Sequence, residues 1–349
     1  MKNIKSINII LPYKEFYTEK SAGAASLLVS ELCRKSIYKQ KIKIYGSSLL
    51  SYPLTKNYIG TIVKKPFFFF SRTHYYLSQL NKKINNNKNS IIEVHNRPQA
   101  ARFFIKNKPV CKKILYFHNN PLELRGSVNK KDRNYLLENL DMIIFVSEWV
   151  KRKFFFDLDM KDSVKTKVIY PGCQPLKKIP RKERNIVFIG KLNYSKGYYI
   201  FLDTIIRILN NYKSWKAIII GDDPRKFKKI KHKNLVYEGW LSHSNALQIL
   251  KKSKIVVVPS LWDEPLGRTS IEAACMGCAT IISKKGGLTE TNSNGIFLNK
   301  FTSEELFKKI KMLINKKKIR NKLMKDNLKN FKHKLKNTIK SIEEVYAEI

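Results

Sequence analysis

The sequence predicts two doubly wound α/β domains. Short apolar runs of four to seven residues alternate with helix-like stretches along all but the tail of the chain. The runs form two series, and PGCQPLKKIPRKER (171–184), rich in Pro and Lys and without periodicity, separates them. Continuous apolar runs between helices indicate strands buried on both faces of a parallel sheet. At 349 residues the chain has room for two such domains.

The first series is INIIL (7–11), KIKIY (41–45), IIEV (91–94), KILYF (113–117), MIIFV (142–146) and KVIY (167–170). The second is NIVFI (185–189), KAIII (216–220), LVYEG (235–239), KIVVVPS (254–260) and ATIIS (279–283). Expected bounds are 1–175 for the first domain and 176–333 for the second, with a closing helix over 334–349. The tail from about 302 reads as helical and very basic, and its last segment, KNTIKSIEEVYAEI, is amphipathic and needs a surface to pack on. The Asn/Lys-rich NKKINNNKNS (81–90) reads as a surface loop.

Hydrophobic residues at 43% and aromatics at 11% supply two cores and argue against global disorder. No apolar run approaches the ~18 residues of a membrane span. The start, MKNIKSINIILPYKEF, reads as a first strand rather than a signal peptide, so a cytoplasmic location is expected. Net charge is +42. It fits either an anionic partner, such as the inner membrane surface, or a solvated surface made lysine-rich by biased codon usage. A basic nucleic-acid binder is the rival reading, but the basic residues are dispersed and no recognition module is evident. In KKPFFFFSRTHYYLSQLNKK (64–83), Phe67–Phe70, Tyr75 and Tyr76 lie between basic residues, which suits either an anionic lipid interface or core packing. Five scattered cysteines argue against a disulfide framework, and Cys275 and Cys278 read as small buried side chains.

The chemistry concentrates in EPLGRTSIE (264–272). Glu264 follows a strand at its carboxyl end, where open α/β sheets bind ligands. Thr269 and Glu272 have the T-x-x-E spacing of a capping box, so Glu272 reads either as a helix cap or as a ligand carboxylate. Backbone N–H groups from Leu266 to Thr269, Gly267 among them, would open a helix N-terminus suited to an anion. Two carboxylates flanking an anion site suit a nucleotide sugar. GKLNYSKG (190–197), directly after NIVFI, is a second anion cradle, with Gly190 at the turn and Lys191 and Lys196 for diphosphate oxygens.

These motifs resemble those of retaining GT-B glycosyltransferases of the family-four type, the group 1 glycosyl transferases. EPLGRTSIE is similar to the E-x7-E signature, GKLNYSKG to its phosphate loop, GDDP (221–224) to its GDGP turn and SKKGGLTE (283–290) to its GG-x-x-E loop. The resemblance implies two Rossmann-like domains facing across a cleft, with the last helix returning to the first domain. It assigns Glu264 to the donor sugar, Glu272 to the ribose, and Lys191, Lys196, Leu266 and Gly267 to the diphosphate. VYEGWLS (236–242), with Trp240, falls where the family passes the base. Gly23 marks the first-domain loop that approaches phosphate or acceptor, His118 resembles the histidine beside the reacting sugar, and His95 is a second candidate. Lys191 stands where the family has Arg, keeping the charge and losing the bidentate fork.

The implied reaction moves a hexose from a nucleotide diphosphate sugar to a hydroxyl of a lipopolysaccharide-like or lipid-linked acceptor, with retention. EVHNRP (93–98) and FHNNPLELRGS (117–127) are similar to the subset acting on surface glycans. No cofactor and no metal are expected, and no specific nucleic acid. A sugar-nucleotide epimerase or a phosphorylase of the same fold is the alternative.

Overall fold

The computed structural model describes residues 4–63, 71–225 and 227–349. Phe67–Phe70 of the aromatic segment therefore lie outside the described residues. The chain separates into two compact units, residues 1–171 with 336–349, and residues 172–335.

The first unit runs β1 (Ser6–Ile10), α1 (Ala24–Lys35), β2 (Ile42–Ser47), β3 (Tyr58–Thr61), α2 (Arg72–Lys83), β4 (Ser90–His95), α3 (Pro98–Asn107), β5 (Lys112–Phe117), α4 (Lys130–Asn139), β6 (Met142–Phe145), α5 (Glu148–Phe154) and β7 (Thr166–Val168). Its described strands form one parallel sheet, ordered β3-β2-β1-β4-β5-β6-β7. β4, SIIEVH, is buried at every position, as both-face coverage by helices requires. The strand order reverses between β1 and β4, which pair in register from Ser6 opposite Ser90 to Ile10 opposite Val94.

The second unit runs β8 (Glu183–Ile189), α6 (Tyr198–Asn211), β9 (Lys216–Ile220), β10 (Leu235–Gly239), α7 (His243–Lys252), β11 (Ser253–Val258), α8 (Arg268–Cys275), β12 (Ala279–Ser283), α9 (Leu288–Thr291), β13 (Ile296–Leu298), α10 (Ser303–Asn315) and α11 (Lys317–Lys329). The parallel sheet is ordered β10-β9-β8-β11-β12-β13, and its reversal lies between β8 and β11. α6 shows why such a segment is helical. Tyr198, Phe201, Leu202, Ile205, Ile208 and Leu209 recur at helical spacing and are all buried in the core.

The last helix, α12 (Leu335–Glu348), finds the surface its pattern demands on the first unit, to which residues 336–349 belong. Ile339, Ile342, Val345 and Tyr346 are buried. Polar contacts add to this. Glu343 accepts from the backbone N–H of Ile37 at 2.7 Å, Thr338 donates to the carbonyl of Tyr170 at 2.8 Å, and Glu348 pairs with Lys167.

One local expectation is corrected, one open reading is decided, and two strands are added. Residues 81–83 of the expected loop end α2, because the helix pattern of Tyr76, Leu77 and Leu80 carries through them. Tyr76 is core, its hydroxyl donating to the Leu11 carbonyl at 3.0 Å. The short edge strands β3 and β13 were not expected; with four and three residues they show no buried apolar run. All five cysteines are buried free thiols. Among the described residues no helix is long and apolar enough to cross a membrane.

If α12 is integral to the first unit, Ile342→Ala should destabilise the protein by about 2–5 kcal/mol. Glu344→Ala, exposed on the same helix, should stay within about 0.5 kcal/mol. Urea unfolding of the two variants measures the difference.

Candidate active site

In the second unit GKLNYSKG and EPLGRTSIE lie at the carboxyl ends of β8 and β11, the strands at the reversal; GDDP and the GG loop follow their neighbours β9 and β12, and Trp240 follows the edge strand β10. The loop after β8 carries Gly190, Lys191 and Lys196; the loop after β11 carries Glu264, Leu266 and Gly267. Two helices start there, α6 and α8. Both have a glycine N-cap, no side-chain cap and no acidic residue in the first turn. By contrast α2, α4, α5, α7 and α10 are capped by Ser, Asn or Thr side chains. The helix ends at the reversal therefore keep their positive partial charge available to an anion.

Glycine makes this convergence possible. Gly197, the N-cap of α6, has φ 70°, and a Cβ there would overlap the carbonyl oxygen of Pro259 in the β11 loop. Gly286, with φ 53°, is pressed in the same way against the backbone of Glu264. The amide of Gly287 donates to the Glu264 carbonyl at 2.6 Å, so the GG loop after β12 fixes the EPLG backbone.

Glu264 is only 7% exposed. Its Oε1 accepts from Lys196 Nζ and from Ser260 Oγ, both at 2.6 Å. Lys196 also lies over the Trp262 ring, 5.1 Å from its centroid. Lys196, expected on the diphosphate, thus already holds the neighbouring carboxylate. Lys191 is exposed, and Trp240, just beyond β10, is 57% exposed, whereas Leu266 is buried. In the GDDP turn Asp223 is engaged by Arg225 Nε and Nη2 at 2.8 and 2.9 Å and by Asn193 at 2.9 Å. The Arg225 hydrogen bonds hold its carboxyl well below the usual range. The turn thereby braces the phosphate-type loop.

The capping-box reading of Glu272 is corrected. α8 starts at Arg268, so Gly267 is the N-cap and Thr269 is already helical. Glu272 instead accepts from Arg268 Nε at 2.6 Å, one turn earlier, and from His243 Nε2 at 2.8 Å. Burial alone would push its carboxyl up, but the His243 hydrogen bond and the Arg268 charge outweigh it and hold it below its ordinary value. Arg268 was legible as an i,i+4 partner. His243, at the start of α7, carried no spacing signal toward Glu272.

The first unit carries Gly23, His95 and His118 at the carboxyl ends of its own strands around the β1–β4 reversal. Gly23 is the N-cap of α1. Its φ of −81° suits any residue, but a Cβ would collide with Glu15, whose Oε1 accepts from the amide of Ser26 at 3.3 Å. Glu15, which the motifs did not single out, thus supplies a carboxylate to this helix end. His95 ends β4, is 1% exposed, and is bonded through Nε2 to Glu93 Oε1 at 2.6 Å and through Nδ1 to His118 Nε2 at 2.8 Å. His118 follows β5, half-buried, and its ring stacks on Tyr116 at 4.7 Å. The structure therefore joins His95 and His118 in one cluster, with Glu93 behind them.

Two measurements probe the carboxylates. Lys196→Met strands the buried Glu264 carboxylate and should cost about 3–5 kcal/mol. Adding Glu264→Gln should restore most of that loss, read by denaturant unfolding of the single and double variants. Glu272, with its folded pKa depressed, contributes stability that is present above its unfolded pKa and lost as pH falls through the folded value. Between pH 7 and pH 3 the melting temperature of Glu272→Gln should therefore fall less than that of the wild type.

The sequence profile described as Glycosyl transferases group 1 matches residues 175–330. An uncharacterised glycosyltransferase of Methanocaldococcus jannaschii is 30% identical over 264 residues, covering 70% of this chain and 71% of that protein. An uncharacterised protein of the cps region of Klebsiella pneumoniae is 27% identical over 206 residues, 55% of this chain and 51% of that one. Among solved structures, Anabaena HepE in complex with UDP and glucose superposes with a TM-score of 0.75 at 14% identity, covering 99% of this chain and 100% of that one. Sucrose-phosphate synthase of Thermosynechococcus elongatus gives 0.74 at 14% identity over 99% and 98%. The two parallel sheets, the motif loops at their reversals and these likenesses lead to one conclusion: the chain is a GT-B glycosyltransferase and belongs to the group 1 glycosyl transferases.

Proposed function

We propose that the protein transfers a hexose, with retention of configuration and without a metal, from a nucleoside diphosphate sugar to a hydroxyl of a surface-glycan or lipid-linked acceptor. The observation that carries the reading is the pair of buried carboxylates bracketing the uncapped N-terminus of α8. A nucleotide sugar has hydroxyls at both ends and a diphosphate between them. Glu264 accepts hydroxyl donors of the sugar, and Glu272 accepts those of the ribose. Lys191, Lys196 and the two glycine-capped helix ends take the diphosphate, and stabilise the charge that grows on it as the glycosidic bond breaks. Trp240 offers a flat surface to the base. HepE, whose solved complexes include UDP and UDP-glucose, shares the fold, which supports a nucleotide sugar of this class.

In the same reading His118 belongs beside the reacting sugar. The departing phosphate oxygen itself accepts the proton of the incoming hydroxyl, which leads to retention without a covalent enzyme intermediate. The surface-glycan acceptor rests on EVHNRP and on the Klebsiella cps-region relative.

A thermal-shift screen of UDP, GDP, ADP and CMP with their sugar conjugates, with and without EDTA, tests the donor. One diphosphate series should raise the melting temperature, unaffected by EDTA, and Glu272→Ala should lose the shift. At a hundredfold excess over Kd the gain is about 2.7 kcal/mol, a shift of about 4–8 °C. A flat screen contradicts the reading. With the donor known, the anomeric proton coupling of the product separates retention from inversion.

A further inference from the structure

Glu93 opens EVHNRP on β4 but has no role assigned there, yet it is wholly buried at the end of a chain of hydrogen bonds leading to His118. Its Oε2 accepts from the Tyr346 hydroxyl at 2.7 Å and its Oε1 is bonded to His95 Nε2 at 2.6 Å. Glu93 and His95 lie two residues apart on β4, hence on one face of the strand. His95 Nδ1 then meets His118 Nε2 at 2.8 Å.

We propose that Glu93 and His95 are positioning residues that hold the His118 ring as the tautomer protonated on Nε2, leaving Nδ1 as its basic atom. The assignment follows from donor and acceptor capacity. An ionised carboxylate only accepts. Tyr346 is a donor, since burial, followed by the charge of Glu93, pushes its phenol pKa well up. His95 Nε2 must therefore carry the proton that faces Glu93. In the neutral His95 ring this leaves Nδ1 as an acceptor, so the hydrogen between the two histidines belongs to His118 Nε2.

The surroundings keep the arrangement in place. Tyr116 from β5 packs against both imidazoles, with centroids 5.3 Å from His95 and 4.7 Å from His118. Its own hydroxyl is committed to the Ile169 carbonyl at 2.7 Å. Asn96, in the left-handed region at φ 54°, accepts from the amides of His118 and Asn119 through Oδ1 at 3.2 and 3.0 Å. Titratable groups around the relay include Glu93, Tyr116 and Tyr346, with Glu343 acting on Tyr346 from its own helix.

A buried carboxylate behind an imidazole selects its tautomer and stabilises positive charge when a proton arrives. The same negative charge, relayed through His95, favours positive charge developing next to His118. The consequence for catalysis rests on the reading above that His118 meets the donor sugar; the tautomer itself does not.

Long-range proton–nitrogen spectra of the histidine rings, with the full-length protein at pH 8, test the proposal without any substrate. The expected pattern is a protonated Nε2 and an unprotonated Nδ1 on His118, and an unprotonated Nδ1 on His95. Glu93→Gln keeps a carbonyl acceptor but removes the charge, and should lower the titration midpoint of His118 by about one pH unit or more. The reversed pattern on His118 in the wild type overturns the proposal, even if the variant does not fold. An unmoved midpoint in a folded Glu93→Gln also overturns it. If the tautomer holds while no nucleotide sugar binds, the donor reading fails and the relay stands.

Discussion

The hydrogen-bonded ion pair between Lys196 and Glu264 is the interaction on which the second unit's site depends. It bridges the loops after β8 and β11, the two strands on either side of the sheet's reversal. A carboxylate this deeply buried is tolerable only with a cation and a further donor, and Ser260 supplies the second. The backbone contacts of Gly197 with Pro259, and of Gly286 with Glu264, bring the loops close enough for a lysine and a glutamate to meet. Charge and hydrogen-bonding capacity are thus set out before any ligand arrives, and little reorganisation remains for the binding step.

The large positive charge divides into surface and structural parts. Lys182 is buried and donates to the carbonyls of Leu250, Lys251 and Met276, at the carboxyl ends of α7 and α8. A cation there satisfies the negative end of two helices, and its desolvation lowers its proton affinity. Arg133, wholly buried, does similar work on the carbonyls of Ser127, Val128 and Phe156. Other lysines are exposed on helix faces, as are Lys317, Lys318, Lys322, Lys325 and Lys329 of α11, where they solvate a surface.

Most of the fold was legible because parallel strands announce themselves as continuous apolar runs. β4, β5, β8 and β11 are buried along most of their length, and each run lies within a residue or two of its strand. β3 and β13 were not legible, since an edge strand of three or four residues leaves no such run. Around the carboxylates, the E-x7-E spacing led directly to Glu264 and Glu272. It misled on the cap, because a glycine N-cap one residue before Arg268 competes with Thr269 for the helix start. His243 and Glu15 were invisible, and Glu93, though it opens EVHNRP, showed no sign of its role. Each acts on a residue 11 or 29 positions away, or through a burial that only the packed sheet creates.

The central claim is that the second unit's switch point is built to bind a nucleoside diphosphate through Lys196 and the uncapped helix ends. The most direct measurement is calorimetric titration of UDP, GDP and ADP into the wild type and into the Lys196→Met, Glu264→Gln double variant, in which no buried charge is stranded. The account predicts that one of the three binds the wild type, and that the double variant loses at least about tenfold, or 1.4 kcal/mol, in affinity for it. Equal affinity in the two proteins would contradict it.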